Sequence, residues 1–234
     1  MKPIALLISC EHAVNTVPAA YSTLFHEHEE ILQTHRGIDI GAFDIAYYLS
    51  QRFVSDFTHA TVSRLLIDCN RSLSHAHCFS AFTKKRSAPE KQRLIDCYYN
   101  PFRQQTEDLI KAHIECGRKV LHLSIHSFTP ELNGIIRNAD IGLLYDNTRQ
   151  GERDLARIWR GLLLQQAPSY RVRMNYPYHG KTDGFTSALR KQYTELDYLG
   201  FEVECNQALV SNNEVRQEVA FALSSSLGPL LGLL

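Results

Sequence analysis

Eleven histidines are spread through a chain of 234 residues that has only two methionines and one tryptophan. Histidine is the commonest metal ligand and a ready acid or base, so where these residues fall decides what they can do. His12 and His126 each stand just past an apolar run that reads as a strand, Asn70 and Arg71 follow another, and Glu204 ends a fourth. In an open α/β sheet, sites form outside the carboxyl ends of the strands. Two imidazoles and a carboxylate with one coordination position left open make a catalytic zinc site. Asp39, at the head of a predicted helix, is the favoured carboxylate. Each residue also has a plain explanation: a satisfied strand-end histidine for His12 or His126, a helix cap for Asp39. The residues are far apart in sequence, so spacing leaves the choice open.

Glu204 follows another logic. A carboxyl on an otherwise apolar strand is desolvated and raised in pKa, which suits a general base acting on water. Glu202, on the same face of that strand, is the second candidate. Arg64, Arg71 and Arg137 offer the planar fork that matches a substrate carboxylate, the alternative being an internal ion pair with Asp68 as an obvious partner. Asn70 could donate into the site or cap a turn. Asn175 and Tyr178, after the strand at 171–174, are further substrate-binding candidates, with His179 on the same loop. The six cysteines form no CxxC pair and read as reduced, inert thiols. No GxGxxG or GxxxxGK phosphate loop is present.

The elements that must position these residues alternate. Strands are expected at 4–9, 60–67, 120–125, 141–145, 171–174 and 201–205, and helices at 40–53, 103–116, 152–165 and 213–227. Residues 72–100 are polar and read as a long exposed loop with some helix. The strand at 120–125 alternates Leu121, Leu123 and Ile125 against His122 and Ser124. Alternating strands and helices argue for a mostly parallel sheet covered on both faces. No linker or composition shift appears, so residues 1–234 are expected to form a single domain. Lysine plus arginine equals aspartate plus glutamate at 25 each. With no net field to gather polyanions, neither a nucleic-acid nor a membrane-surface partner is expected. No run reaches the ~18 apolar residues of a membrane span, and the Leu-rich tail is interrupted by Gly228, Pro229 and Gly232. Glu11 and His12 cut off the apolar N-terminal run before a signal peptide can form. A cytoplasmic protein, monomeric or a small homo-oligomer, is the expectation.

The blocks SCEHAVNTVP, HRGIDIGA, VSRLLIDCNR, LSIHSFTP, MNYPY and VECNQ, in that order, resemble the N-formylglutamate amidohydrolase family over about residues 6–210. The resemblance implies a three-layer α/β sandwich with a mostly parallel mixed sheet, as in zinc-dependent exopeptidases. It also implies one Zn2+ held by His12, Asp39 and His126, with Glu204 as the catalytic glutamate. Its arginine-rich substrate block falls on Arg64, Asp68, Asn70 and Arg71. In this reading Arg71, with Arg64 or Arg137, anchors a small-molecule carboxylate substrate and helps stabilise the oxyanion. The chain departs from the family pattern at Cys10-Glu11, at Tyr99–Arg103 and around His179 and Gly180. The implied activity is hydrolysis of an N-acyl amino acid, N-formyl-L-glutamate first. The alternatives are a peptidase or amidase on short peptides or peptidoglycan fragments, and a metal-binding relative without turnover.

Overall fold

The computed structural model describes residues 2–234. Its centre is a six-stranded sheet in the order β2-β1-β3-β8-β6-β7. The strands are β1 (Ile4–Cys10), β2 (Asp56–His59), β3 (Lys119–Phe128), β6 (Ile141–Leu144), β7 (Val172–Met174) and β8 (Tyr198–Asn206). β1, β2, β3 and β8 run parallel, while β6 pairs antiparallel with β8 and carries β7 parallel beside it. β4 (Glu131–Leu132) and β5 (Ile135–Ile136) form a small exposed hairpin.

Helices cover both faces, giving three layers. On one face lie α1 (Ala42–Phe53), α4 (Gln150–Gln166) and α7 (Asn213–Gly232), whose Ile45, Leu49, Trp159, Leu163 and Leu223 pack against Leu121, Leu123, Ile125, Phe201 and Val203. On the other lie α2 (Ala88–Leu94), α3 (Asn100–Glu115) and α5 (Phe185–Gln192), packed with Leu7, Val120 and Tyr198 into a second cluster. Both faces of β3 and β8 are buried, as expected for central strands of a covered parallel sheet. A short helix, α6 (Gln207–Val210), follows β8.

Four expectations change. No strand forms over 60–67. The edge strand is β2, four residues upstream, and Val62, Leu65, Leu66 and Ile67 are buried in turns instead. The backbone of those turns is satisfied by the segment that follows: Thr83 Oγ1 donates to the Leu66 carbonyl at 2.9 Å and Asp68 N to the Cys78 carbonyl at 2.8 Å. Residues 72–100 are therefore partly built into the fold, with Cys78 and Thr83 fully buried. Asp39 does not cap α1: the cap position is Gly41, at φ 77°, which leaves the carboxylate of Asp39 free to turn inward. A side chain on Gly41 would also meet the Val210 carbonyl oxygen at 2.8 Å. Finally, α7 runs through Gly228 and Pro229 to Gly232, because Leu227 and Leu230 are held in the core. No helix among the described residues is long and apolar enough to cross a membrane.

Candidate metal centre

The parallel strands β1, β3 and β8 end side by side, so the residues at their carboxyl ends meet. His12 lies two residues past β1 and His126 near the end of β3, and the next strand's Glu204 is paired with His126 in the ladder. Asp39 is brought to them by its backbone N–H, which donates to the His12 carbonyl at 3.1 Å. One ligand atom from each of His12, Asp39 and His126 falls within 4.8 Å of the others, and all three residues are buried. Asp39 Oδ2 lies 2.8 Å from Nδ1 of His126 and 3.2 Å from Nδ1 of His12.

The opposite nitrogens point away from this centre toward carboxylates. His12 Nε2 lies 2.8 Å from Asp68 Oδ1, and His126 Nε2 lies 2.8 Å from Ser124 Oγ and 3.2 Å from Glu11 Oε2. A carboxylate on the far nitrogen fixes a histidine's ring and tautomer, as it does in metal sites generally. Arg64 adds a cation on the near side: Nη1 donates to Asp39 Oδ1 at 3.3 Å and lies 3.1 Å from His12 Nδ1, and Nη2 donates to Asp68 Oδ2 at 2.9 Å. The donors at this point thus already face positive charge.

Burial disfavours the charged form of every group here, and the neighbours decide the outcome. Despite burial, the histidines and their hydrogen bonds hold the Asp39 carboxyl well below its usual range. Asp68 is also lowered against burial, first by the Arg64 charge and then by His12. Glu11 is held down to about 2 against burial by the hydrogen bond and charge of His126. Glu204 behaves differently. Burial, with Asp39 and Glu202 adding to it, raises its carboxyl to about 7 even though His126 and His12 oppose the shift. Its Oε2 is buried without any hydrogen-bond partner. A buried oxygen left unpaired is costly, so this one is free to serve a ligand or water.

The other expected site residues divide. Asn70 is beside the centre, with Nδ2 3.4 Å from His126 Nε2 and Oδ1 accepting from Phe185 N at 2.7 Å. Tyr178 lines the cleft outside the centre, and the Arg137 guanidinium sits 4.9 Å over its ring. Arg71 Nη1 donates to the Asp183 carbonyl, and its charge is felt by Asp68. Asn175 is occupied in the loop, where its Oδ1 accepts from Tyr145 N at 3.1 Å and Gly180 N at 3.0 Å. That loop crosses the sheet where Gly142 has no side chain; a Cβ there would stand 2.0 Å from the Tyr176 carbonyl oxygen and 3.3 Å from Glu204 Cβ. Glu202 Oε1 accepts from Thr186 Oγ1 at 2.8 Å, and His179 is exposed. The roles of Glu11 and Ser124, and of Asp68 as a histidine partner, escaped sequence reasoning. The available signal was the alternation of His122, Ser124 and His126 on one face of a buried strand.

The cleft measures about 480 Å³ and opens from Asp39, Arg64 and Asp68 between Phe79 and Phe128, with Arg36 and Lys84 among its lining residues. Because both aspartates are engaged with histidines or Arg64, the unspent charge around it is cationic.

The fold is a three-layer α/β sandwich with a buried His-Asp-His group at the ends of its parallel strands. The sequence profile of the N-formylglutamate amidohydrolase family matches residues 4–211, and the chain belongs to that family. Among solved structures it is similar to a gene product of Agrobacterium tumefaciens, at 29% identity and a TM-score of 0.82, covering 97% of this chain and 90% of that one. It also shares its fold with the N-formylglutamate amidohydrolase of Ralstonia eutropha JMP134, at 17% identity and a TM-score of 0.73, covering 98% and 94%. No curated protein sequence matches the chain.

Proposed function

We propose that residues 1–234 act as one catalytic domain that hydrolyses the amide bond of an N-acyl amino acid, with N-formyl-L-glutamate the first substrate, giving formate and L-glutamate. The observation that carries this reading is the unpartnered Oε2 of the buried Glu204 on the strand beside His126. The donor set of two imidazole nitrogens and one carboxylate oxygen suits zinc, with His12, Asp39 and His126 holding it. When bound there, zinc supplies Lewis-acid polarisation of the substrate carbonyl and acidifies an attacking water.

The chain's own residues do the rest. Glu204 takes a proton from the attacking water at a carboxylate oxygen and delivers it to the departing amine nitrogen. Its elevated pKa, near neutrality, matches both halves of that exchange. Arg64, beside Asp39 in the cleft, and Arg137, stacked on the cleft-lining Tyr178, bind the substrate carboxylate, and Arg64 is close enough to the centre to meet the developing oxyanion. Arg71 steadies the loop at Asp183. Asp68 holds His12, so that its Nδ1 faces the centre.

The size of the cleft favours a second substrate range of larger acyl groups and short peptides. The test is hydrolysis of N-formyl-, N-acetyl- and dipeptide substrates by wild type and Glu204→Gln, with zinc content measured on both. Turnover by wild type that disappears in Glu204→Gln at unchanged zinc content is the expected result. Absence of turnover on every N-acyl amino acid, with zinc bound, would leave a binding protein instead.

A further inference from the structure

Glu11 lies directly behind the metal centre and touches no part of the cleft. It is 1% exposed. Its Oε1 accepts from Ser9 Oγ at 2.6 Å, and its Oε2 accepts from Ser124 Oγ at 2.5 Å and lies 3.2 Å from His126 Nε2. Among the described residues no lysine or arginine forms an ion pair with it. A buried carboxylate with no cationic side chain beyond a histidine needs positive charge delivered through that histidine.

The hydrogen bonds around Glu11 run in one direction only. The carboxylate can only accept. Ser9 therefore spends its hydroxyl proton on Oε1 and must accept at 2.8 Å from His122 Nε2, which carries a proton. The other nitrogen of His122, neutral in its fully buried position, then accepts from the Tyr198 hydroxyl at 2.7 Å. On the other side Ser124 spends its proton on Oε2 and must accept from His126 Nε2 at 2.8 Å. That nitrogen is thereby committed as an N–H, so that the 3.4 Å approach of Asn70 Nδ2 is a contact and not a hydrogen bond, and the Nδ1 of His126 is the nitrogen left to face Asp39 and His12. The array joins three neighbouring strands: Ser9 on β1, His122, Ser124 and His126 on β3, Tyr198 on β8.

We infer that Glu11 is a positioning residue for the metal, fixing the ring and tautomer of His126 so that Nδ1 is the ligating atom, with Ser9, His122 and Tyr198 bracing the carboxylate from behind. This rests on the proposed metal site. Replacing Glu11 by glutamine alters one atom. The amide N–H2 must itself donate: toward Ser9 it reverses the His122 branch of the array, and toward Ser124 or His126 Nε2 it reverses the other branch and drives the histidine proton onto Nδ1.

The test is a zinc titration against a competing chelating dye for wild type, Glu11→Gln and Ser9→Ala, with 15N NMR of the histidine nitrogens of the zinc-loaded protein. The expected result is zinc binding weakened about 10- to 100-fold in Glu11→Gln and less in Ser9→Ala, with the thermal transition retained. Zinc-loaded wild type should show His126 protonated at Nε2 and bound through Nδ1. Equal zinc affinity in wild type and Glu11→Gln would overturn this inference while leaving the hydrolase reading intact. Failure of wild type to bind zinc would overturn that reading, and the inference with it. Should Glu11→Gln not fold, the tautomer in wild type decides: coordination through Nε2 overturns the inference, and coordination through Nδ1 with weaker binding in Ser9→Ala supports it.

Discussion

The central strands β3 and β8 have two faces of equal burial and opposite chemistry. Toward α1, α4 and α7 they present Leu121, Leu123, Ile125, Phe201, Val203 and Cys205, a dry surface packed on Trp159 and Leu163. Toward α3 and α5 they present His122, Ser124, His126, Glu202 and Glu204. The apolar face stabilises the fold at about 25 cal/mol per Å² removed from water. On the polar face each group has to recover its lost hydration through partners. His122, Ser124, His126 and Glu202 do, through Ser9, Tyr198, Glu11, Asp39 and Thr186, and the exception is Glu204, whose buried Oε2 has no partner. The polar face thus leaves one buried carboxylate oxygen without a protein partner, on the strand beside His126.

Substitutions on the two faces should separate function from stability. His126→Ala is expected to have the largest effect, removing zinc binding and all measurable turnover; metal analysis and an N-formyl-L-glutamate assay read both. Glu204→Gln should lower kcat by about 10²- to 10⁴-fold with zinc retained. The same variant should make the metal-free protein more stable above pH 7. The wild-type carboxyl rises from its ordinary 4.5 to about 7 on folding, so burying it ionised costs stability that appears as pH climbs through that interval. The gain in the variant is about 3 kcal/mol at pH 8, vanishing below pH 4.5, by denaturant titration at the two pH values. For the same reason the acid limb of kcat/KM should lie at or below pH 7, since bound zinc favours the ionised form.

On the dry face, Trp159→Ala should cost about 3–5 kcal/mol of stability while zinc affinity of the folded protein stays unchanged. The smallest effect is expected at Ser226→Ala, which removes the hydroxyl that accepts from Trp159 Nε1 at 3.0 Å. The unpaired indole N–H should cost about 1–3 kcal/mol, again with zinc affinity intact. Zinc loss from either dry-face variant would show that the two faces are coupled.

The two faces were also unequally legible. Strict alternation in 120–125 separates Leu121, Leu123 and Ile125 from His122 and Ser124, and the observed β3 keeps that division. Glu204 reads as a desolvated acid on an apolar strand, and it is one. Asp39 was harder, because an acid before a helix ordinarily caps it; only the left-handed Gly41 releases it. The apolar run 60–67 carries the burial of a strand without its pairing, since Ala60 and Ser63 N–H donate to the Cys10 and Thr16 carbonyls while the Leu65 and Leu66 carbonyls accept from the hydroxyls of Ser80 and Thr83. Glu11 stands out in the sequence only as a break after the first apolar run and a departure from the family pattern, with nothing to show its role. Its partners Ser9 and Ser124 lie on different strands, and sequence alone does not show which strands are neighbours.

The most direct measurement is the zinc content of purified protein, taken before and after chelation, alongside its rate on N-formyl-L-glutamate. One zinc per chain, with hydrolysis lost on chelation and restored by added zinc, is the predicted result. A protein that holds no stoichiometric metal and is indifferent to chelators would contradict the account.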